Sequence, residues 1–471
     1  MKEFEPLILE KHKKYKEKYG ENDTFWGFGI EVETYLQFSK PIFVAAPILK
    51  AARKPERYSV SYYKSYKPET LALMDKLFPD SSGFFPIPLF VNSHSLTRTD
   101  KRGNHATTYE KEPKPNPAFL GKTIFQELQE FCPDVFADQE ELSFTFDGDA
   151  IEFMTQDFYK IKIEDSIEEL LYHKKQFLEN MNKCFQTRKI FQERGTLIYP
   201  PKNPGFVVFN TNPTNIAMFN NGTYHINITL PTEIGYRDMF GIPRLKFPEK
   251  FRDQHRSCIR VYQWLEPILI AMYGTPDPFD TGSRASQRCA MSRYIGIGTY
   301  NTETMLEGKV LTVPIESIRG SDLPYWWYST YHSKSAYNPL TQIGMDILYK
   351  KHYLHGIELR IFDWFPEERL QELCELLVYA AAASLDHKNV DEPAISRIWN
   401  EIVVAILRNG KEYVMTLQEV GVLESIFLVQ LPKNNRKVDI IYKNLFINLK
   451  DKYSDSKVAQ AFLTPHTGRC C

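Results

Sequence analysis

Four stretches of the chain alternate polar and apolar residues for long enough to define strands, and each spends its polar positions on side chains that carry charge or can bind it. In "WGFGIEVETYLQF", residues 26–38, period-two alternation puts Glu31 and Glu33 on one face and Ile30, Val32 and Thr34 on the other. In "FTFDGDAIEFMTQDF" Glu152 lies opposite Ile151 and Phe153, with Asp147 and Asp149 just upstream. "GTYHINITLP" sets His225, Asn227 and Thr229 against Tyr224, Ile226, Ile228 and Leu230. "LHGIELRIFDWFP" sets Glu358 and Arg360 against Ile357, Leu359 and Ile361. An antiparallel sheet of such strands keeps one face for helices and leaves the other wet. Each strand taken alone is accounted for by a solvent-facing sheet, a satisfied core histidine or a surface ion pair. Taken together they imply one sheet whose polar face collects Glu31, Glu33, Glu152, Glu358 and His225. Four converging carboxylates repel unless a cation offsets them, and carboxylate oxygens with few soft donors suit Mg2+ or Mn2+. Mg2+ in turn usually implies a phosphate-bearing substrate.

Helical periodicity separates the strands. It runs from 163 to 195 with a Gly stop, recurs near 250 to 274, and opens again at Pro366. The chain from 366 to 471 reads as mostly helical, and the fold class is α+β. Residues 42–140 are rich in Pro, Tyr and Lys with many turn signals, and read as an insertion within a single elaborated catalytic domain spanning 1–471. The first twenty residues read as an amphipathic helix, too charged for a secretory signal.

Composition excludes several classes. With 471 residues, 43% hydrophobic and 25% charged, the chain can bury a large core. The 58 basic and 59 acidic residues leave a net charge of -1, so there is no cationic field for nucleic acid. No apolar run approaches the ~20 residues that span a bilayer. Seven scattered cysteines without a C-x-x-C pair indicate neither a disulfide framework nor a zinc site, and fit a reducing cytoplasm. The adjacent Cys470 and Cys471 follow no polybasic stretch and form no C-a-a-X box, so they read as a polar tail. Nothing in the sequence speaks to oligomeric state.

The order G-I-E-V-E, D-x(4)-E-F-M-T, H-I-N-I-T, S-I-R-G-S-D-L-P-Y and I-E-L-R-I-F-D resembles the glutamate–cysteine ligase family, within the glutamine-synthetase-like carboxylate–amine ligases. These motifs are short, but their ordered spread from residue 29 to 363 frames most of the chain. The resemblance implies a curved, mainly antiparallel catalytic sheet with a polar active-site face and helices packed on the other. It implies ATP and Mg2+ (or Mn2+) as cofactors and small amino acids as substrates, in the chemistry that opens glutathione biosynthesis. Carried over position by position, Glu31, Glu33, Glu152 and Glu358 would hold metal, with His225 a further ligand or phosphate contact. Asn227, Thr229, Ser321, Arg319 and Arg360 would line the nucleotide. Arg360 and Arg319 would act on the transferring phosphate, and Tyr325, Asp147 and Asp149 would meet the amino-acid substrate. Pro324 stands where the family has Gly beside that tyrosine. An amidoligase with another amine or a protein-borne acceptor, a guanidino kinase on the same sheet, or a non-catalytic binding protein of this fold are the alternatives.

Overall fold

The structure, a computed structural model, describes residues 24–45, 84–91, 124–136, 143–147, 150–201, 205–209, 212–219, 222–237, 243–274, 299–301, 306–309, 347–349, 356–387, 390–393 and 396–464. The N-terminal helix expected over the first twenty residues, the tail with Cys470 and Cys471, and Asp149, Arg319, Ser321, Pro324 and Tyr325 lie outside the described residues.

The alternating stretches form one sheet. Its strands are β1 (Thr24–Thr34), β2 (Phe144–Asp147), β3 (Ala150–Met154), β4 (Gly222–Arg237), β5 (Ile347–Tyr349) and β6 (Ile357–Asp363). They stand in the order β5-β6-β4-β1-β3-β2, every pair antiparallel, and Pro243–Leu245 adds a short strand to the far end of β4. β1 lies at the centre because both its edges are paired, to β4 over most of its length and to β3 at its C-terminal end.

The apolar face is covered by three long helices, α1 (Ile163–Arg188), α2 (Pro248–Tyr273) and α3 (Leu370–Asp386). Beyond its first turn α3 is apolar on nearly every side and accordingly buried from Leu373 to Ser384, as expected of a helix packed on all faces. Outside it lie α4 (Arg397–Asn409), α5 (Leu417–Phe427) and α6 (Val438–Tyr453), so the described residues beyond Pro366 are mostly helical. α5 begins with a reciprocal capping box between Thr416 and Glu419.

α1 is shorter than its sequence pattern. It ends at Arg188 because Lys189 turns left-handed (φ 57°), and Phe191 then folds back onto Phe38, with ring centroids 5.6 Å apart. Within α1, Lys174 is buried with its ammonium 4.6 Å from the Tyr199 ring and paired to Glu367, four residues beyond the end of β6. Burial pushes its pKa down to about 7.

A second, five-stranded sheet joins Leu36–Phe38 to Leu89–Val91 and Leu197–Ile198, and continues through Gly205–Phe209 to Asn212–Phe219. Leu89–Val91 falls inside the region read as an insertion, so part of that region is built into the fold. The architecture is therefore α+β, with antiparallel pairing among the described strands except between Leu89–Val91 and Gly205–Phe209. Among the described residues no helix is long and apolar enough to cross a membrane.

Candidate metal centre

Register decides which polar side chains meet. In β1 and β4, Glu31 stands opposite His225 and Gly29 opposite Asn227; β4 then pairs Asn227 with Glu358 of β6, and β1 pairs Glu33 with Glu152 of β3. Directly opposed residues share a face, so β1, β3 and β6 present their acids, and β4 its His225 and Asn227, to one side. Glu33 facing Glu152 is a like-charge pair, which costs stability unless a cation or a donor intervenes.

The centre of the cluster is His225, 2% exposed. Its Nδ1 lies 3.3 Å from Glu31 Oε2 and 3.7 Å from Glu358 Oε1, and its Nε2 lies 3.6 Å from Glu33 Oε1. One donor atom each from Glu31, His225 and Glu358 fall within 4.8 Å of one another, close enough to hold a single ion. Asn227 donates to Glu31 Oε1 at 3.2 Å and so orients that carboxylate. Arg360 donates to Glu358 Oε1 at 3.0 Å. Burial acts to lower the Arg360 pKa, but Glu358, Glu33 and Glu31 outweigh it and hold the guanidinium above its ordinary value. The cluster thus contains a permanently charged fork pinned against a fully buried carboxylate.

Of the residues singled out in the sequence, the described structure brings together Glu31, Glu33, Glu152, His225, Asn227, Glu358 and Arg360. Thr229 shares their face but lies farther along β4, opposite Gly27, and is not in the cluster. Asp147 ends β2 opposite Ala150, two residues along β3 from Glu152.

Sequence reasoning missed Asp363. Strict alternation from Glu358 places it on the helix-packed face, but β6 carries a bulge: Leu359 pairs with Ile226 and Phe362 with Tyr224, so Arg360 and Ile361 together face His225. Past the bulge the phase is reversed. Asp363 stands opposite Thr223, itself opposite Glu33, and is completely buried. The signal was the final Asp of I-E-L-R-I-F-D, which alternation alone could not assign to a face.

Fold and site define a class: an α+β protein with a carboxylate–histidine–guanidinium cluster on the polar face of an antiparallel sheet. No protein-family profile matches the chain. Over 456 residues it is 37% identical to an uncharacterized protein of Acanthamoeba polyphaga mimivirus, a match covering 95% of this chain and 78% of that protein. The chain belongs to the family of that mimivirus protein.

Proposed function

We propose that the chain is an ATP-dependent carboxylate–amine ligase with a glutamine-synthetase-like catalytic sheet, acting by default on glutamate and cysteine. The observation that carries this reading is the convergence of Glu31, His225 and Glu358 with Arg360 held against Glu358. Donor chemistry fits a hard divalent ion: carboxylate oxygens dominate, with one imidazole nitrogen. Glu31, His225 and Glu358 would hold it, with Glu33 and Glu152 opposed across β1 and β3 as further oxygen donors. When bound, Mg2+ or Mn2+ supplies charge neutralisation for a nucleoside triphosphate.

The reaction needs no protein nucleophile. A carboxylate oxygen of the acceptor attacks the γ-phosphorus, the bond to the bridging oxygen breaks and ADP departs with that electron pair, leaving an acyl phosphate. The amine then attacks the acyl carbon, the carbon–oxygen bond to phosphate breaks, and the nitrogen loses its proton as inorganic phosphate leaves. Arg360, fixed by Glu358, offsets charge on the phosphoryl oxygens as the transfer proceeds, a preorganised role suited to a planar guanidinium. Asn227 keeps Glu31 turned toward His225. Arg319, Ser321 and Tyr325 are the further candidates of this reading for phosphate and amino-acid contacts.

Phosphate release from ATP, screened against single amino acids and then pairs, tests the proposal. Glutamate-dependent, cysteine-stimulated release with γ-glutamylcysteine as product is expected. Release that depends on glutamate but ignores cysteine replaces cysteine with another amine, and release that depends only on a guanidine with a phosphoguanidine product replaces the ligase with a kinase. No release under any combination overturns the enzymatic reading.

A further inference from the structure

β1 carries two glycines, Gly27 and Gly29, on the same face as Glu31 and Glu33, and neither marks a turn. Both are occupied by one side chain. A Cβ at Gly27 would lie 2.2 Å from Phe158 Cε1, and one at Gly29 would lie 2.7 Å from Phe158 Cδ2, so the ring spans the strand where side chains are missing. Glycine inside a strand marks such a close approach.

The ring is held there. Thr155 Oγ1 accepts from Ile30 N at 3.1 Å, and the Phe158 carbonyl accepts from Phe28 N at 2.8 Å. Between them the Glu169 carboxylate of α1 accepts from Gln156 N at 2.7 Å and from Asp157 N at 3.3 Å. Tyr159 packs on the ring edge-on at 4.9 Å. Phe158 is half-buried. The result is an aromatic surface pinned on the metal-binding face, centred about three residues from Glu31. At about 3.3 Å per residue that is roughly 10 Å, comparable to the reach of a ribose and triphosphate.

We propose that Phe158 is the platform on which the planar base of a nucleoside triphosphate stacks while its phosphates reach the Glu31–His225–Glu358 cluster. This rests on the nucleotide reading above. It makes the run from Gly27 to Glu33 a single ruler for the ligand, base at one end and phosphates at the other.

The test is calorimetric binding to the full chain, with Mg2+, of ATP and of inorganic tripolyphosphate. Phe158→Leu should weaken ATP about tenfold, within the worth of one base–aromatic stack, and leave tripolyphosphate unchanged. In a Phe158→Trp variant ATP binding should be kept, and the introduced indole fluorescence should be quenched by ATP and not by tripolyphosphate. Equal ATP affinity in Phe158→Leu, equal loss of both ligands, or an indole blind to ATP overturns the platform while leaving the nucleotide reading intact. If the unsubstituted chain binds neither ligand, the nucleotide reading falls first and takes the platform with it.

Discussion

Along β4, Tyr224, Ile226 and Ile228 are fully buried on one side of the sheet, and on the other His225, Asn227 and Thr229 are all but fully buried as well. Equal burial has opposite energetic meaning on the two sides. Each apolar side chain gains about 25 cal/mol per Å2 removed from water and supports the fold. On the polar side the same removal costs solvation, recovered only through pairing such as His225 to Glu31 or Arg360 to Glu358. Acids there outnumber the lone described arginine, and in the proposed reading a cation offsets the excess. One residue of register therefore separates positions that hold the protein together from positions to which the proposed reading gives chemistry.

The sharpest way to break that contrast is Glu358→Gln. In the ligase reading it removes a ligand charge without changing size, and turnover should fall about a thousandfold or more. Thermal stability should change little, because the amide oxygen can still accept from Arg360 and Glu31 and Glu33 still face its charge. Full turnover at limiting Mg2+ would sink the metal assignment.

Arg360→Lys keeps the charge and loses the fork. It should cost roughly 2–4 kcal/mol of transition-state stabilisation, seen in kcat with little change in ATP affinity. Weaker ATP binding at unchanged kcat would move Arg360 to a ground-state role.

Lys174 extends the comparison to the helical layer, where a buried lysine is paired to Glu367. Its folded pKa of about 7 lies below the ordinary 10.5, so the folded state holds less proton than the unfolded one between those values. Stability should rise with pH through that window, by at most about 1.4 kcal/mol per pH unit, and fall again as pH drops toward 7. Urea unfolding across the window should show the slope in the unsubstituted chain and its loss in Lys174→Met. A slope that survives the substitution assigns it elsewhere.

The smallest effect belongs to the apolar face. Ile226→Val should cost about 0.5–1.5 kcal/mol of stability with turnover per folded molecule unchanged. A turnover loss there would mean the two faces are not independent.

The polar face was legible in the sequence because β1, β4 and the first half of β6 obey period two, which set Glu31, Glu33, His225, Asn227 and Glu358 on a common side. Asp363 was not legible because the bulge is a property of the pairing, not of β6 alone. Phe158 escaped because the stretch from Thr155 to Tyr159 has no periodicity, and its position on the polar face appears only when Gly27 and Gly29 are seen beneath it. The second sheet escaped because Leu36–Phe38, Leu89–Val91 and Leu197–Ile198 are too short to display alternation. α+β class was readable from alternating strands and long helical blocks; the order of strands was not.

The bulge at Arg360 and Ile361 also acts as a phase shifter. Before it, even positions of β6 belong to the site; after it, odd positions do. Pairing all seven residues of β6 in simple alternation, without the bulge, would carry Asp363 to the helix-packed side, although no charged residue had been substituted; deleting Ile361 would restore one-to-one pairing and leave Asp363 opposite Thr223. Comparisons of relatives that allow no gap at this point will equate residues on opposite faces, and the seven-residue β6 keeps Asp363 beside Glu358 and Arg360 only where its partner strand accepts the bulge.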